Sequence, residues 1–345
     1  MSLRKVKTVT GIDREAFDRD LRPAGEPVLF KQLVGDWPLV NAARGGDGAL
    51  FDFSSARATS IPISVAIGRP EIRGRFHYED DGKSLNFERI DSTLPRLLGM
   101  LAEEAQCDQP RAVAGQGLAV HRCLKGFAKD HHLPLLPASV LPRMWIGNAA
   151  CVATHNDELE NLACVAAGRR RFTLFPPEAV GDLYMGPFEL TPGGTPISMV
   201  HVTEPDLGRY PRFAHALQQA QVAEMEPGDV LYIPYQWFHH VEALDPVNIL
   251  VNYWWDPARQ DLGSPWDALL HGIIALRGLP PDQRRAWKAA FDHYVFLENG
   301  DPGAHLPADV RGILGMDSPE FLDQLKRDLR ANLDPASRVR SGPLG

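Results

Sequence analysis

Short apolar runs, each cut off by glycine or proline, fill the first three quarters of the chain and limit what it can fold into. They run from Ile61 to Ile67, Val113 to Val120, Arg143 to Thr154, Leu162 to Phe175 and Val230 to Ile233. Runs of this length bounded by turn residues read as strands, and a succession of them reads as a β-sandwich or barrel. The 30 glycines and 29 prolines supply the many turns such a fold needs. Ahead of these strands, Thr10 or Asp13 is placed to cap a helix carrying Phe17 and Leu21, with Pro23 near its end. Pro27 to Leu33 then has the composition of a strand, ended by Asp36-Trp37-Pro38, with a loop expected to about residue 46. The period changes after Asp256-Pro257. Leu269, Leu270, Ile273 and Ile274 recur at helical spacing, as do Trp287, Phe291, Tyr294 and Val295, and then Phe321, Leu325 and Leu329. The expected fold class is mainly β with helical additions.

Composition narrows the function classes. The 345 residues are 44% hydrophobic and 23% charged, so a sizeable core is available and a disordered acidic chain is excluded. The formal charge is −8, from 44 acidic against 36 basic residues without a long basic block, which makes nucleic acid an unlikely partner. No apolar run approaches the roughly 20 residues of a membrane helix, and Met1-Ser-Leu-Arg-Lys-Val-Lys-Thr has no apolar segment of the secretory kind. Cys107, Cys123, Cys151 and Cys164 are scattered without a Cys-x-x-Cys pair, so reduced thiols and a cytoplasmic location are expected.

The stretch with chemical content is Thr154-His155-Asn156-Asp157, placed just after an apolar run. A second, Gly228-Asp229-Val230-Leu231-Tyr232-Ile233-Pro234-Tyr235-Gln236-Trp237-Phe238-His239-His240, follows further along. In extended chain, residues i and i+2 share a side, so His155 and Asp157 converge. A third imidazole from a distant strand completes a two-histidine, one-carboxylate face that leaves three positions of an ion open, as in non-haem Fe(II) oxygenases. Imidazoles hold Fe(II), the carboxylate offsets part of its charge, and the open positions take a chelating cosubstrate and O2. Adjacent strand residues face opposite ways, so alternation alone leaves the third ligand open between His239 and His240.

In combination these motifs resemble the JmjC-type, cupin-like hydroxylases that use Fe(II) and 2-oxoglutarate. The matching residues are His155-x-Asp157, Asn161, Gly168 to Pro177, Pro205-Asp206, Arg209-Tyr210-Pro211, Phe213, Glu226 to Pro234, Trp237 to Glu242 and Val251-Asn-Tyr-Trp254. The resemblance covers about residues 145–256 and extends loosely to Pro27–Trp37 and the helical tail; residues 45–110 are not placed by it. It implies a double-stranded β-helix (jelly-roll) core at 111–258, N-terminal elements at 1–110 flanking it, a helical dimerisation region at 259–335 and a flexible tail at 336–345. It also implies His155, Asp157 and His239 as metal ligands, His239 being the seventh residue counted from the isoleucine of Ile233-Pro234. Arg170 falls where a family member has the lysine that pairs the distal carboxylate of 2-oxoglutarate. Strand alternation would set Arg170 on one face and Arg169 and Arg171 on the other. Asn161 and Asn252 match asparagines near the cosubstrate, and Trp254 an aromatic wall beside it. Val152 stands where a relative has a hydroxyl residue on 2-oxoglutarate, and Val113 or Gln116 lies near the place of a tyrosine.

The implied function is an Fe(II)- and 2-oxoglutarate-dependent dioxygenase hydroxylating a C–H bond, on a protein or peptide side chain first and a small molecule second. A halogenase needs a vacant position where Asp157 stands, which favours hydroxylation. The alternative is a cupin-fold metal-binding or regulatory protein without oxygenase activity, because the fold hosts both. Apolar stripes around 266–277 and 283–297 suggest a homodimer through C-terminal helices. Trp237 reads as a core aromatic, and His131, His132, His201 and His215 as core or surface residues outside the site.

Overall fold

The structure, a computed structural model, describes residues 3–79, 81–256, 262–315 and 318–333. The chain forms two compact units, Met1–Asp256 and Pro257–Gly345. The boundary expected at residue 258 and the tail expected at 336–345 lie outside the described residues.

Two sheets face each other in the first unit. Eight strands make the barrel, and the chain crosses repeatedly from one sheet to the other. Arg143–Gly147, Glu160–Ala167, Val230–Ile233 and Asn248–Trp255 belong to one sheet, while Cys151–Asn156, Arg170–Phe175, Gln221–Met225 and Phe238–Ala243 belong to the other. Sequential strands pairing across a barrel in this order form the jelly roll. The first sheet grows to nine strands by adding Lys7–Val9, Val28–Phe30, Ala112–Ala119, Ile63–Gly68 and Phe87–Ser92. The second grows to six by adding Arg4–Lys5 and Arg75–Phe76.

Three facts of packing position the site. Phe172, Leu174, Ala223, Met225 and Val241 from one sheet meet Ala163, Val165, Leu231, Ile233 and Leu250 from the other in the barrel interior. The outer face of the nine-stranded sheet packs in a second core with the helices Pro38–Arg44, Asp47–Arg57 and Leu94–Glu104. Glu160–Ala167 is therefore buried along its whole length, which explains why its sequence reads as a continuous run rather than an alternation. At the turn into the next strand, Gly168 has φ +68°, and a Cβ there would lie 2.3 Å from Asn248 Oδ1. Only glycine fits, and the turn aims the three arginines that follow.

The N-terminal expectation is corrected in one respect. Asp13 does cap the first helix, its side chain accepting from Ala16 N at 2.8 Å, but Pro38–Arg44 is a helix rather than loop. Proline sits in its first turn, where no N–H is needed. Residues 45–110 contribute two further helices and two long strands of the large sheet. In the second unit the stripes do form helices, Pro265–Leu276, Pro281–Tyr294 and Pro319–Leu333.

Candidate metal centre

His155 is the penultimate residue of the barrel strand Cys151–Asn156, and Asp157 stands in the short connection that carries the chain across to Glu160–Ala167 in the facing sheet. His239 pairs across the ladder with His155 on one side and with Leu174 on the other. Leu174 belongs to the interior core, so both imidazoles rise from the inner face. The ligand atoms of His155, Asp157 and His239 all lie within 4.8 Å of one another, the one such group among the described residues. His239 Nε2 is 3.7 Å from Asp157 Oδ2, and the two rings have centroids 4.4 Å apart. His240 faces the opposite side, with Nε2 3.3 Å from Cys151 Sγ.

Protonation suits a cation. His155 Nδ1 lies 2.9 Å from the carbonyl of Ala153 and His239 Nδ1 3.2 Å from that of Trp237. A carbonyl only accepts, so each Nδ1 donates to it, which leaves Nε2 as the ring nitrogen available to an ion. Burial first, and the facing His155 second, push His239 below the ordinary histidine range and keep it neutral. Two imidazoles and a carboxylate are the donor set of a facial triad.

The remaining expected residues fall into two groups. Arg170 lies on the strand Arg170–Phe175, four residues before Leu174 and on the same inner face, about 13 Å along the strand. It is 6% exposed, its Nε finds no partner, and burial alone pushes its pKa down to about 10. Arg169 and Arg171 turn outward to pair with Asp245 at 2.7 Å and Glu224 at 3.0 Å. Trp254 and the pair Asn161–Asn252 converge on the ligand carboxylate. Trp254 Nε1 donates to Asp157 Oδ2 at 3.1 Å, Asn161 Nδ2 to the same oxygen at 3.3 Å, and Asn252 Nδ2 to Asn161 Oδ1 at 2.8 Å. Trp254 and Asn161 thus bond to Asp157 itself, and Asn252 bonds to Asn161.

An ion pair on the outer face of the large sheet escaped the sequence reading. Glu160 accepts from Arg22 at 2.8 and 2.9 Å and from the Tyr232 hydroxyl at 2.9 Å, tying the N-terminal helical turn to the barrel. No spacing rule pairs residues 138 apart in sequence. Trp237 is buried and donates to the Gly25 carbonyl. Val113 lies in the outer core, whereas Gln116 accepts from Arg89. His131 is buried, and His132, His201 and His215 are exposed.

A jelly roll with two imidazoles and a carboxylate converging on its inner face defines a metal-binding protein of the cupin type. A family model described as "Cupin-like domain" matches residues 14–261, and the chain belongs to that family. Among curated proteins it is similar to Lysine-specific demethylase JMJ31 of Arabidopsis thaliana, at 38% identity over 32% of this chain and 20% of the relative. It is similar to HSPB1-associated protein 1 of Rattus norvegicus at 33% identity over 76% of this chain and 56% of the relative. It is also similar to the Bifunctional peptidase and (3S)-lysyl hydroxylase JMJD7 of Homo sapiens, at 34% identity over 39% of this chain and 47% of the relative. The chain thus spans between a fifth and rather over half the length of these relatives. No helix among the described residues is long and apolar enough to cross a membrane.

Proposed function

We propose that this chain is an Fe(II)- and 2-oxoglutarate-dependent oxygenase that hydroxylates a C–H bond. One observation carries the reading: a three-donor cluster and a buried guanidinium without a carboxylate partner among the described residues share the inner face of one barrel. A buried charge demands a counter-charge, and an anion reaching from the ion toward Arg170 supplies it. His155, Asp157 and His239 would hold iron, which supplies the dioxygen activation that cleaving a C–H bond requires. Arg170 would pair with the distal carboxylate of 2-oxoglutarate, its planar fork suiting two oxygens at once. Phe172, Leu174 and Val241 line the space beneath with apolar surface and exclude water from it.

A protein or peptide side chain is the first substrate class. The net charge of −8 disfavours phosphate backbones, and two relatives carry names that specify lysine. A reducing, cytoplasmic setting accords with four free cysteines. The reading also takes in a homodimer, supported by the apolar residues that the C-terminal helices expose. Adding Fe(II) and 2-oxoglutarate without air is expected to give the weak visible charge-transfer band of a chelated ferrous complex. Iron binding without that band would instead make the chain a cupin-type binding protein.

A further inference from the structure

We infer that Arg89 and Arg143 select the substrate by receiving a carboxylate that stands about three residues from the reacting side chain of a peptide. The inference rests on the reading above that the substrate is a peptide, and it names the sequence such a peptide would carry.

Strand register puts both arginines on the inner face of the large sheet. Trp145 packs against the barrel interior, and Arg143 stands two residues before it on the strand Arg143–Gly147, hence on the same side. Gly147, two residues after Trp145, pairs with Ala114, Ala114 with Ala66, and Ala66 with Arg89. Residues directly opposite one another across a ladder share a face, so Arg89 belongs to it too. Trp145 meets Trp254 edge-on at 5.0 Å, and the Trp254 indole bonds to Asp157. The strand Ala112–Ala119 lies two strand spacings, roughly 10 Å, from that of Trp254, the span of about three extended residues.

What sets these arginines apart is how they are held. The ladder slips between Gly115 and Leu118, so Gln116 and Gly117 both stand opposite Trp145 as a bulge, with Gly117 at φ +64°. Arg89 Nη2 donates to Gln116 Oε1 at 2.9 Å and to the Pro192 carbonyl at 2.7 Å. Arg143 Nη1 donates to the Gly117 carbonyl at 3.0 Å, so both heads are tethered to adjacent residues of one bulge. Arg89 also lies over Phe87, 5.4 Å from the ring centre. Every one of these partners is neutral. Among the described residues neither guanidinium has a carboxylate partner, although Asp91 follows Arg89 by two positions on the same face. Burial alone lowers the Arg89 pKa from its ordinary value, with no acid opposing it.

Both side chains are open to solvent. An arginine left to water keeps its rotamer freedom, whereas two that neutral acceptors already hold have less to lose when an anion arrives. Each guanidinium has five N–H groups, of which these bonds use two in Arg89 and one in Arg143. The remainder suit the two oxygens of a carboxylate. A phosphate backbone calls for a longer track of positive charge, and the sequence, at net charge −8, holds no long basic block.

The test uses the full chain loaded with Mn(II) and three fluorescein-labelled heptapeptide pools. Each pool is degenerate at its five central positions and carries Glu, Gln or Lys at both ends, three residues from the centre. Fluorescence anisotropy should show the Glu pool binding about tenfold more tightly than the Gln pool, the yield of one charge-assisted bond. Arg89→Glu combined with Arg143→Glu should turn the preference toward the Lys pool, a reversal that misfolding cannot produce. Arg89→Gln and Arg143→Gln, each alone, should reduce the Glu preference. Wild type that binds the Glu and Gln pools alike overturns the inference, as does a Glu preference that survives the double exchange. A uridine oligonucleotide that binds more tightly than the Glu pool overturns it in favour of phosphate. Succinate release from 2-oxoglutarate, followed separately with Fe(II), keeps the two readings apart. A Glu preference without succinate fails the oxygenase and upholds the arginines; succinate without a Glu preference does the reverse.

Discussion

His239 lies directly across an antiparallel ladder from His155, with ring centroids 4.4 Å apart, while its neighbour His240 turns to the opposite face and meets Cys151. One residue of register thus separates a ligand from a buried side chain outside the cluster. His239→Ala should abolish Fe(II) binding and iron-dependent turnover of 2-oxoglutarate. His240→Ala should keep a substantial part of both, because its ring does not reach the cluster. Metal titration of the two variants checks this, and the reverse pattern would shift the assignment by one residue.

Arg170 and Arg169 are adjacent in sequence and opposite in surroundings. Arg170→Ala should weaken 2-oxoglutarate binding by roughly 2–4 kcal/mol, about 30- to 1,000-fold, because a buried carboxylate loses its charged partner. Arg169→Ala removes an ion pair whose side chains are 60% and 29% exposed, and should change affinity little. Calorimetric titration of the Mn(II)-loaded variants distinguishes them. Equal affinities in wild type and Arg170→Ala would point to another cation.

The barrel was legible in the sequence because its strands are short and bounded by turn residues, and His155-x-Asp157 was legible because i and i+2 share a side. The side of His239 was not, since alternation cannot tell which of two neighbours faces inward until a ladder fixes it against Leu174. The helix Asp47–Arg57 was hidden by its mixture of Asp, Gly and Ser, with only Leu50 and Ser54 buried. The helix Leu94–Glu104 was readable and passed over: Leu94, Leu97, Leu98 and Leu101 stand at i, i+3, i+4 and i+7, all buried. Trp254 shows the other limit. Its sequence position suggests a wall, but only tertiary structure shows where an indole N–H points.

Asp229 belongs to the same motif as His239 but serves the fold. It is fully buried, pairs with Lys31, and accepts from the backbone N–H groups of Gln32 and Glu226 at 3.0 Å each. Asp229→Ala leaves those donors and a half-buried ammonium without their acceptor, and should cost about 3 kcal/mol of stability. Urea denaturation measures this. A loss under ~1 kcal/mol would show that water takes over the carboxylate's place.

Acid should destabilise the protein through its buried histidines. His131 stacks on Phe127 at 3.9 Å, its Nδ1 meets the Phe127 carbonyl, and its Nε2 accepts from Leu39 N at 3.1 Å. A proton on Nε2 would set N–H against N–H. Burial first pushes His131 below 6.5, and His77, His239 and His240 are lowered for the same principal reason. Below pH 6.5 the unfolded chain binds protons that the folded chain refuses. Stability is therefore complete above that pH and is lost as pH falls toward the folded values, by up to ~1.4 kcal/mol per pH unit for each such group. Denaturation at pH 7.5 and 5.5 should show a smaller pH loss in His131→Gln than in wild type. Equal losses would remove His131 from the account.

The last prediction concerns the second unit. Neither Pro265–Leu276 nor Pro281–Tyr294 has a buried residue, and Ile274, Trp287 and Tyr294 are 82%, 50% and 57% exposed. Apolar surface left open along two successive helices is the signature of an association face, and a two-fold axis lets one patch serve both partners. Light scattering at micromolar concentration should give twice the chain mass for the wild type. Ile274→Glu combined with Trp287→Glu should give the single-chain mass with circular dichroism unchanged, since neither side chain supports a core. A wild-type monomer would dispose of the dimer, and a dimer that survives both substitutions would place its interface elsewhere.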